Sequence, residues 1–533
     1  MQFRAAPDTH SSPPKAKAGD QAASFRSILF LNDADLLRDV GPGAPDFFRD
    51  LNLDQIISAI TARKEAYNLG PFFGMPLHDI DAIAFRQEVM RDLEDRDVMA
   101  VVAAFAEDMR AIRTGLDRAA KRYHARQKQR WFLETVRRYG RALTSLAQGL
   151  SAAKTRSRGF GGFTAWVAQY VASSRFKCLV AETEQIAAGL SAIRYLVVIN
   201  GLHVEVRPYA GEPDYSAEVA AVFEEFDQGD AKSYEFEFSA AEDVNRVEGY
   251  ILDLVAQMHQ GLFEQLETYF AANQGFIDPV LIRFDNEIQF YVAWLEFAAN
   301  IAKVGLNFCY PRFSRPEREI RVRQSFDLAL AVQLQREHAA PVCNDFHLSG
   351  SEQIIVVTGP NQAGKTTFAR SIGQLHYFAS LGCPVAAEDA QLCLGAGIFT
   401  HFEREENAAA LQGKLQDDLI RIHRILNSAT PESIIIINEI FASTTLKDAL
   451  FLSRKIATSI MQLGAVCVWV TFLDELAGLG DRTVSMAAEV LPENTELRTF
   501  RIVRRPADGL AYALSLARKH GLTYELVSRR VKS

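Results

Sequence analysis

The sequence predicts an α/β P-loop nucleotide-binding domain with a largely parallel sheet, placed C-terminal to an all-α region that carries a small β insertion. Three observations predict it. Residues 357–367 read VTGPNQAGKTT, in which Gly359 and the run Gly364-Lys365-Thr366 satisfy the spacing G-x-x-x-x-G-K-[ST]. From about residue 46 to 310, apolar residues recur at intervals of three and four, the period of packed helices. From about residue 312 onward, short β-branched runs alternate with helix-forming ones, the pattern of a parallel sheet with crossover helices.

The P-loop has the flanks its chemistry needs. Ile354 to Val357 is a buried-strand run, and Phe368 to Ala379 is helix-forming. Glycines let the loop backbone curl until its N–H groups converge on phosphate oxygens, and the helix N-terminus adds free donors and the positive end of its dipole. The candidate ATP cradle is Gly359, Pro360, Asn361, Gln362, Ala363, Gly364, Lys365, Thr366 and Thr367. Lys365 is expected to reach the β- and γ-phosphates, and the Thr366 hydroxyl to ligate Mg²⁺. The competing reading is a glycine-rich turn without a ligand; the complete spacing and both flanks argue against it.

The helical region supplies packing surfaces. Phe132, Val136, Tyr139, Leu143, Leu146 and Leu150 form one seam, and Val244, Val247, Ile251, Leu254 and Met258 a second. A further helix is expected from Asp285 to Leu306. One β insertion interrupts the helices. Leu196 to Ile199, the dipeptide Asn200-Gly201 and Leu202 to Val206 read as a hairpin, and Tyr234, Phe236 and Phe238 as a third strand. The intervening linker is acidic, with Glu212, Asp214, Glu218, Glu224, Glu225, Asp227 and Asp230. Carboxylates repel phosphates, so this tip is a poor nucleic-acid contact. Arg118, Arg122, Arg126 and Arg130 recur every four residues and read as one slowly turning helical stripe. They are the candidate DNA-binding residues; a solvated or intramolecular face is the alternative.

Composition narrows the setting. The 533-residue chain is 48% hydrophobic and 23% charged, which suits two to four globular domains. Its net charge of −8 argues against a protein coated in nucleic acid by bulk charge, though not against a local basic patch. The six cysteines, at 178, 309, 343, 383, 393 and 467, have no metal-binding spacing and suit buried thiols of a reducing cytoplasm. No apolar run is long enough to cross a membrane. The first 25 residues lack a signal-peptide core and are expected to be a disordered tail.

The inner P-loop residues suggest a family. TGPNQAGKTT resembles the TGPNMGGKST loop of the MutS family of DNA mismatch-repair ATPases. Val342-Cys343-Asn344-Asp345 is similar to the family's PND stretch, and Ser433 to Thr445 (SIIIINEIFASTT) to its Walker B segment. Val470 to Leu476 resembles its switch strand, Tyr512 to Leu522 its closing helices, and Pro71 to Leu93 the start of its core. The resemblance is strong over residues 340–522 and weaker but ordered over 46–310. It implies an ABC-type ATPase domain over 312–533, helical core and lever segments over 26–180 and 241–311, and a reduced clamp over 181–240. It also implies a homodimer in which each ATP is completed by the partner.

Residue by residue, the resemblance carries both matches and departures. Glu439 matches the glutamate that activates the attacking water. Asn438 stands where the family has the aspartate that helps to hold Mg²⁺, so an amide replaces a charge. Phe472 replaces the switch histidine, Gly413 falls at the trans-acting serine with Lys414 beside it, and Pro341 at an adenine-stacking aromatic. The family's Phe-x-Glu mismatch wedge and its connector precede the core; this core begins near residue 46, so mismatch reading by this chain is not expected. The resulting expectation is an ATP-gated DNA clamp with slow hydrolysis. The alternatives are a nucleotide-switched scaffold that does not touch DNA, and an unrelated P-loop enzyme such as a kinase, for which no acceptor signature is present.

Overall fold

The computed structural model describes residues 25–32, 45–200, 203–212, 246–313, 319–395, 397–403, 413–491, 494–507 and 528. The expected tail, third strand, acidic linker and closing helices lie almost wholly outside these residues. The chain forms two compact units, one of residues 1–26, 103–152 and 161–276, the other of residues 27–102, 153–160 and 277–533. The expected division at residue 311 follows a change of secondary-structure style. Packing instead groups helices from both sides of it with the sheet.

The first unit is helical. Helix Ala125–Ala152 buries Phe132, Val136, Tyr139, Leu143, Leu146 and Leu150, the whole of the first seam. Phe132 meets Phe270 and Phe276 edge-on at 5.0 and 5.6 Å, and the Tyr139 hydroxyl lies 3.0 Å from that of Tyr170. Of the second seam, Ile251, Leu254 and Met258 are half-buried, and Val244 lies outside the described residues. In helix Arg246–Met258, Val255 and Ala256 are buried, while Val247 is 54% exposed. Periodicity marks a helix but not which neighbour it finds. The hairpin forms as β1 (Tyr195–Asn200) against β2 (His203–Pro208). Asn200 pairs with His203, so the first strand runs one residue further than the Asn-Gly signal implied.

The second unit is built on a six-stranded sheet, ordered β12-β11-β6-β10-β9-β8. These strands are β6 (Ile354–Thr358), β8 (Gly397–Phe402), β9 (Ser433–Asn438), β10 (Val466–Val470), β11 (Thr483–Leu491) and β12 (Asn494–Arg504). All neighbours are parallel except β12, which returns antiparallel along β11. Strands β6, β9 and β10 are buried along their full lengths because helices cover both faces. Ile435, Ile437 and Trp469 face Ile422, Ile456 and Ile460 of helices Lys414–Ser428 and Leu446–Leu463. On the other face, a Cβ on Gly373 of helix Lys365–Ser380 would stand 2.7 Å from Ile436 and from Leu51. A second sheet, β3-β7-β4-β5, comprises β3 (Arg312–Phe313), β4 (Ile320–Ser325), β5 (Asn344–Leu348) and β7 (Asp389–Leu392).

Helix Pro279–Ala302 starts six residues before the expected Asp285. Asp278 caps it through Val280 N–H, and Pro279 occupies the first turn. The Trp294 ring of this helix packs 4.5 Å from Phe378 of the P-loop helix. Glu287 of the same helix accepts hydrogen bonds from Ser27 Oγ at 2.8 Å and Ile28 N at 3.0 Å, which ties the buried segment 27–30 into this unit. Arg86, fully buried, donates to the carbonyls of Leu29 and Leu381.

None of the six cysteines, all among the described residues, forms a disulfide. Cys383 and Cys467 are buried as expected, but Cys178 is exposed and the other three are half-buried. Among the described residues, no helix is long and apolar enough to cross a membrane.

Candidate functional site

Strand β6 ends at Thr358, and the chain must reverse at once to enter helix Lys365–Ser380. Two glycines make the reversal possible. Gly359 has φ +130° and its missing Cβ would lie 2.7 Å from Ala488 Cβ of β11, so no side chain fits. Gly364 has φ +88° and sits at the helix N-cap. Gln362 between them is also left-handed, with φ +61°. The helix begins at Lys365, three residues before the expected Phe368.

The Lys365 ammonium lies across the mouth of the loop. It donates to the carbonyls of Gly359 at 2.9 Å and Pro360 at 3.0 Å, and stands 3.9 Å from Glu439 Oε1. Burial pushes its pKa below the ordinary lysine range; the Glu439 carboxylate opposes this, and Arg498 adds to it. The Thr366 hydroxyl donates to Asn438 Oδ1 at 3.0 Å. Strand β9 delivers Asn438 as its last residue. Glu439 then turns out of the sheet at φ +52°, its N–H bound to Val470 O at 3.0 Å. A left-handed glutamate is uncommon, and the conformation aims the next element away from the strand.

These groups open on one cavity of about 730 Å³, within the range of small-molecule sites. Asn361 through Thr367 and Glu439 line it. Leu330, Leu334, Pro341, Val342 and Phe500 add an apolar part to the same lining. Sequence reasoning missed Phe500. In the β11–β12 pairing Ala488 faces Ile502 and Val490 faces Arg498, so three residues bulge opposite Glu489. Phe500 is at the bulge centre, at φ +57° and 48% exposed, with its ring about 3.6 Å from the space a Cβ on Gly364 would fill. Asn344 clamps the bulge, accepting from Ile502 N–H at 2.7 Å and donating to Phe500 O at 3.3 Å. Its place in the PND stretch was the one available signal; nothing in the local sequence marks Phe500.

Comparison with known proteins decides the family. Residues 355–532 match the model of MutS domain V. The chain is 29% identical over 192 residues to the DNA mismatch repair protein MutS of Chlorobium phaeovibrioides, covering 35% of this chain and 22% of that one. It is 26% identical over 244 residues to that of Petrotoga mobilis (45% and 29%), and 30% identical over 228 residues to that of Dehalococcoides mccartyi (42% and 25%). Residues 355–532 are a MutS domain V. The matched segment spans between a fifth and a third of the length of these relatives.

The other expected site residues are placed as follows. Pro341 belongs to the apolar part of the cavity lining, where it contributes surface but no stacking ring. Phe472 follows β10, is 53% exposed and does not line the cavity. Gly413 is the N-cap of helix Lys414–Ser428, and Lys414 is ion-paired with Glu403 of its own chain. Neither lines this cavity.

The arginine stripe needs correcting. Helix Arg96–Lys121 ends before Arg122, and a new helix starts at Ala125. Arg118 and Arg122 therefore do not share a helix with Arg126 and Arg130, because a turn breaks the four-residue period. Arg126 is bound to Glu267 at 3.0 Å, Arg130 pairs with Glu134, and the Arg122 guanidinium lies 5.3 Å over the Trp131 ring. Arg118 lines a surface groove between helices Arg96–Lys121 and Ala125–Ala152.

Proposed function

We propose that this chain binds ATP and Mg²⁺ at the P-loop, hydrolyses ATP slowly, and uses nucleotide state to gate DNA contact as an ABC-type homodimer. The observation that carries the nucleotide reading is that Lys365, Thr366 and Glu439 line one cavity together with apolar residues, with Asn438 bound to Thr366. Phosphates entering the loop would meet its backbone N–H groups and draw the Lys365 ammonium from the Gly359 and Pro360 carbonyls. Phe500 and Pro341 would flank the base.

The fit of Mg²⁺ rests on the donors present. Thr366 Oγ and Asn438 Oδ1 are oxygen ligands 3.0 Å apart, both neutral. Among the described residues no group of three or more His, Cys, Asp or Glu could hold a metal unaided. Binding would therefore depend on the charge of the phosphates. Bound there, the ion would neutralise charge developing on the transferred phosphoryl oxygens. Glu439, in the same cavity lining, would orient and deprotonate the attacking water.

Lys365→Ala tests the nucleotide reading. Losing one charge-assisted contact, about 1.5 to 3 kcal/mol, should weaken ATP binding at least tenfold in calorimetry. Unchanged affinity would show that ATP binds elsewhere. A second reading, a nucleotide-switched scaffold without DNA contact, is favoured by the neutral Asn438 and the exposed Phe472. Titration of duplex and branched DNA across a salt series, with and without ATP, separates the two: binding that weakens with salt supports the clamp, and none at low salt supports the scaffold.

A further inference from the structure

Apart from the P-loop and Glu439, the polar side chains that line the nucleotide cavity are already hydrogen-bonded within the protein. Asp327, 4% exposed, accepts from Leu330 N–H at 2.7 Å through one oxygen and from Gln374 Nε2 at 3.0 Å through the other. Ser325 Oγ donates to Asn344 O at 3.0 Å, and Ser371 Oγ to Phe368 O at 2.7 Å. The Asn344 amide is taken up by β12, accepting from Ile502 N–H and donating to Phe500 O. To reach a base, such a group would leave a buried partner unsatisfied. Pro341, in the apolar part of the lining, has a backbone carbonyl but no N–H. A carbonyl accepts from the amino group of adenine and from that of guanine alike. Asn361 and Gln362, exposed on the loop, each carry a donor and an acceptor, and suit either purine by turning the amide over. Of the phenylalanines in the lining, Phe326 and Phe368 are 2% exposed, whereas Phe500 is 48% exposed and open to a ligand.

We infer that this cavity takes purine nucleoside triphosphates without selecting adenine from guanine, the base being held on the Phe500 ring and the apolar residues of the lining. The inference rests on the nucleotide reading of the site and widens its substrate class. Stacking on an aromatic ring serves every base, because each has a π-face. An apolar pocket separates ligands of similar shape only weakly; strong rejection needs a buried polar group matched to one ligand and left unpaired by the other. Here the buried polar groups of the lining are matched to the protein itself. A pyrimidine, with one ring in place of two, covers less of the apolar surface and gains less from it.

Calorimetric titration of the full chain with ATP, GTP, CTP and inorganic tripolyphosphate, each with Mg²⁺, tests it. ATP and GTP should bind within about fivefold of each other, the factor that one discriminating hydrogen bond would already reach. CTP should bind more weakly than either. Phe500→Ala should weaken ATP and GTP alike by about tenfold and leave tripolyphosphate, which has no base, unchanged; Phe500→Tyr should keep the parent's affinity for all three. Four results would each overturn the inference: a preference between the two purines above about fivefold, CTP binding as tight as ATP, unchanged purine affinity in Phe500→Ala, or loss of tripolyphosphate binding in that variant. All four leave the nucleotide reading standing. That reading fails separately, if neither ATP nor tripolyphosphate binds the parent or if Lys365→Ala leaves their affinities unchanged.

Discussion

Glu287→Gln replaces a buried acid by its neutral isostere, and its effect can be worked from the structure. Glu287 is 3% exposed, and Oε2 accepts both hydrogen bonds from segment 27–28. Burial pushes its pKa up to about 7 from an ordinary 4.5, against the lowering effect of Ser27, the Ile28 N–H and Arg283. The folded value lies above the unfolded one, so the folded chain holds the extra proton between these limits. The stability this contributes is fully present below the unfolded pKa and is lost as pH rises through 7. From pH 5 to pH 8 the linkage amounts to about 2 to 3 kcal/mol, at 1.36 kcal/mol per pKa unit. The glutamine oxygen can accept the same two hydrogen bonds and does not titrate. The variant should therefore gain on the parent by about that amount over this range. Urea unfolding at both pH values, followed by tryptophan fluorescence, to which Trp294 on the same helix contributes, measures it. An equal parent–variant difference at pH 5 and pH 8 would refute the reasoning.

Other expectations concern the site. Asn438→Asp should keep the Thr366 hydrogen bond and add a charge beside the metal, raising Mg²⁺ affinity and phosphate release, whereas Glu439→Gln should abolish turnover; a slower Asn438→Asp would count against this. Gly359→Ala forces a methyl to within 2.7 Å of Ala488 at φ +130°, and should cost about 2 kcal/mol or more of stability together with ATP binding; a soluble variant with normal ATP affinity would contradict it. ATP with Mg²⁺ should favour the dimer by mass action, and light scattering that gives a monomer with and without nucleotide would exclude the composite site.

Features set by neighbours in sequence were legible in the sequence itself. Strand β6, the P-loop and its helix depend on contiguous residues, so four β-branched residues followed by GPNQAGKT announce them. The seam from Phe132 to Leu150 and the β1–β2 hairpin were legible for the same reason: apolar period and turn chemistry are local. The start of helix Pro279–Ala302 lay in view, in an Asp-Pro cap read too late. Tertiary structure decided the rest. Glu287 meets Ser27 across 260 positions, and Asn344 holds the Phe500 bulge across more than 150, separations at which no local pattern registers. The four-residue arginine period persists across a turn, because charge spacing constrains the backbone far less than packing does. The exposure of Val247 in helix Arg246–Met258 depended on which neighbours the helix found. The P-loop motif thus identifies part of the cavity lining from sequence alone, whereas the apolar part is assembled from separate strands and loops by the fold.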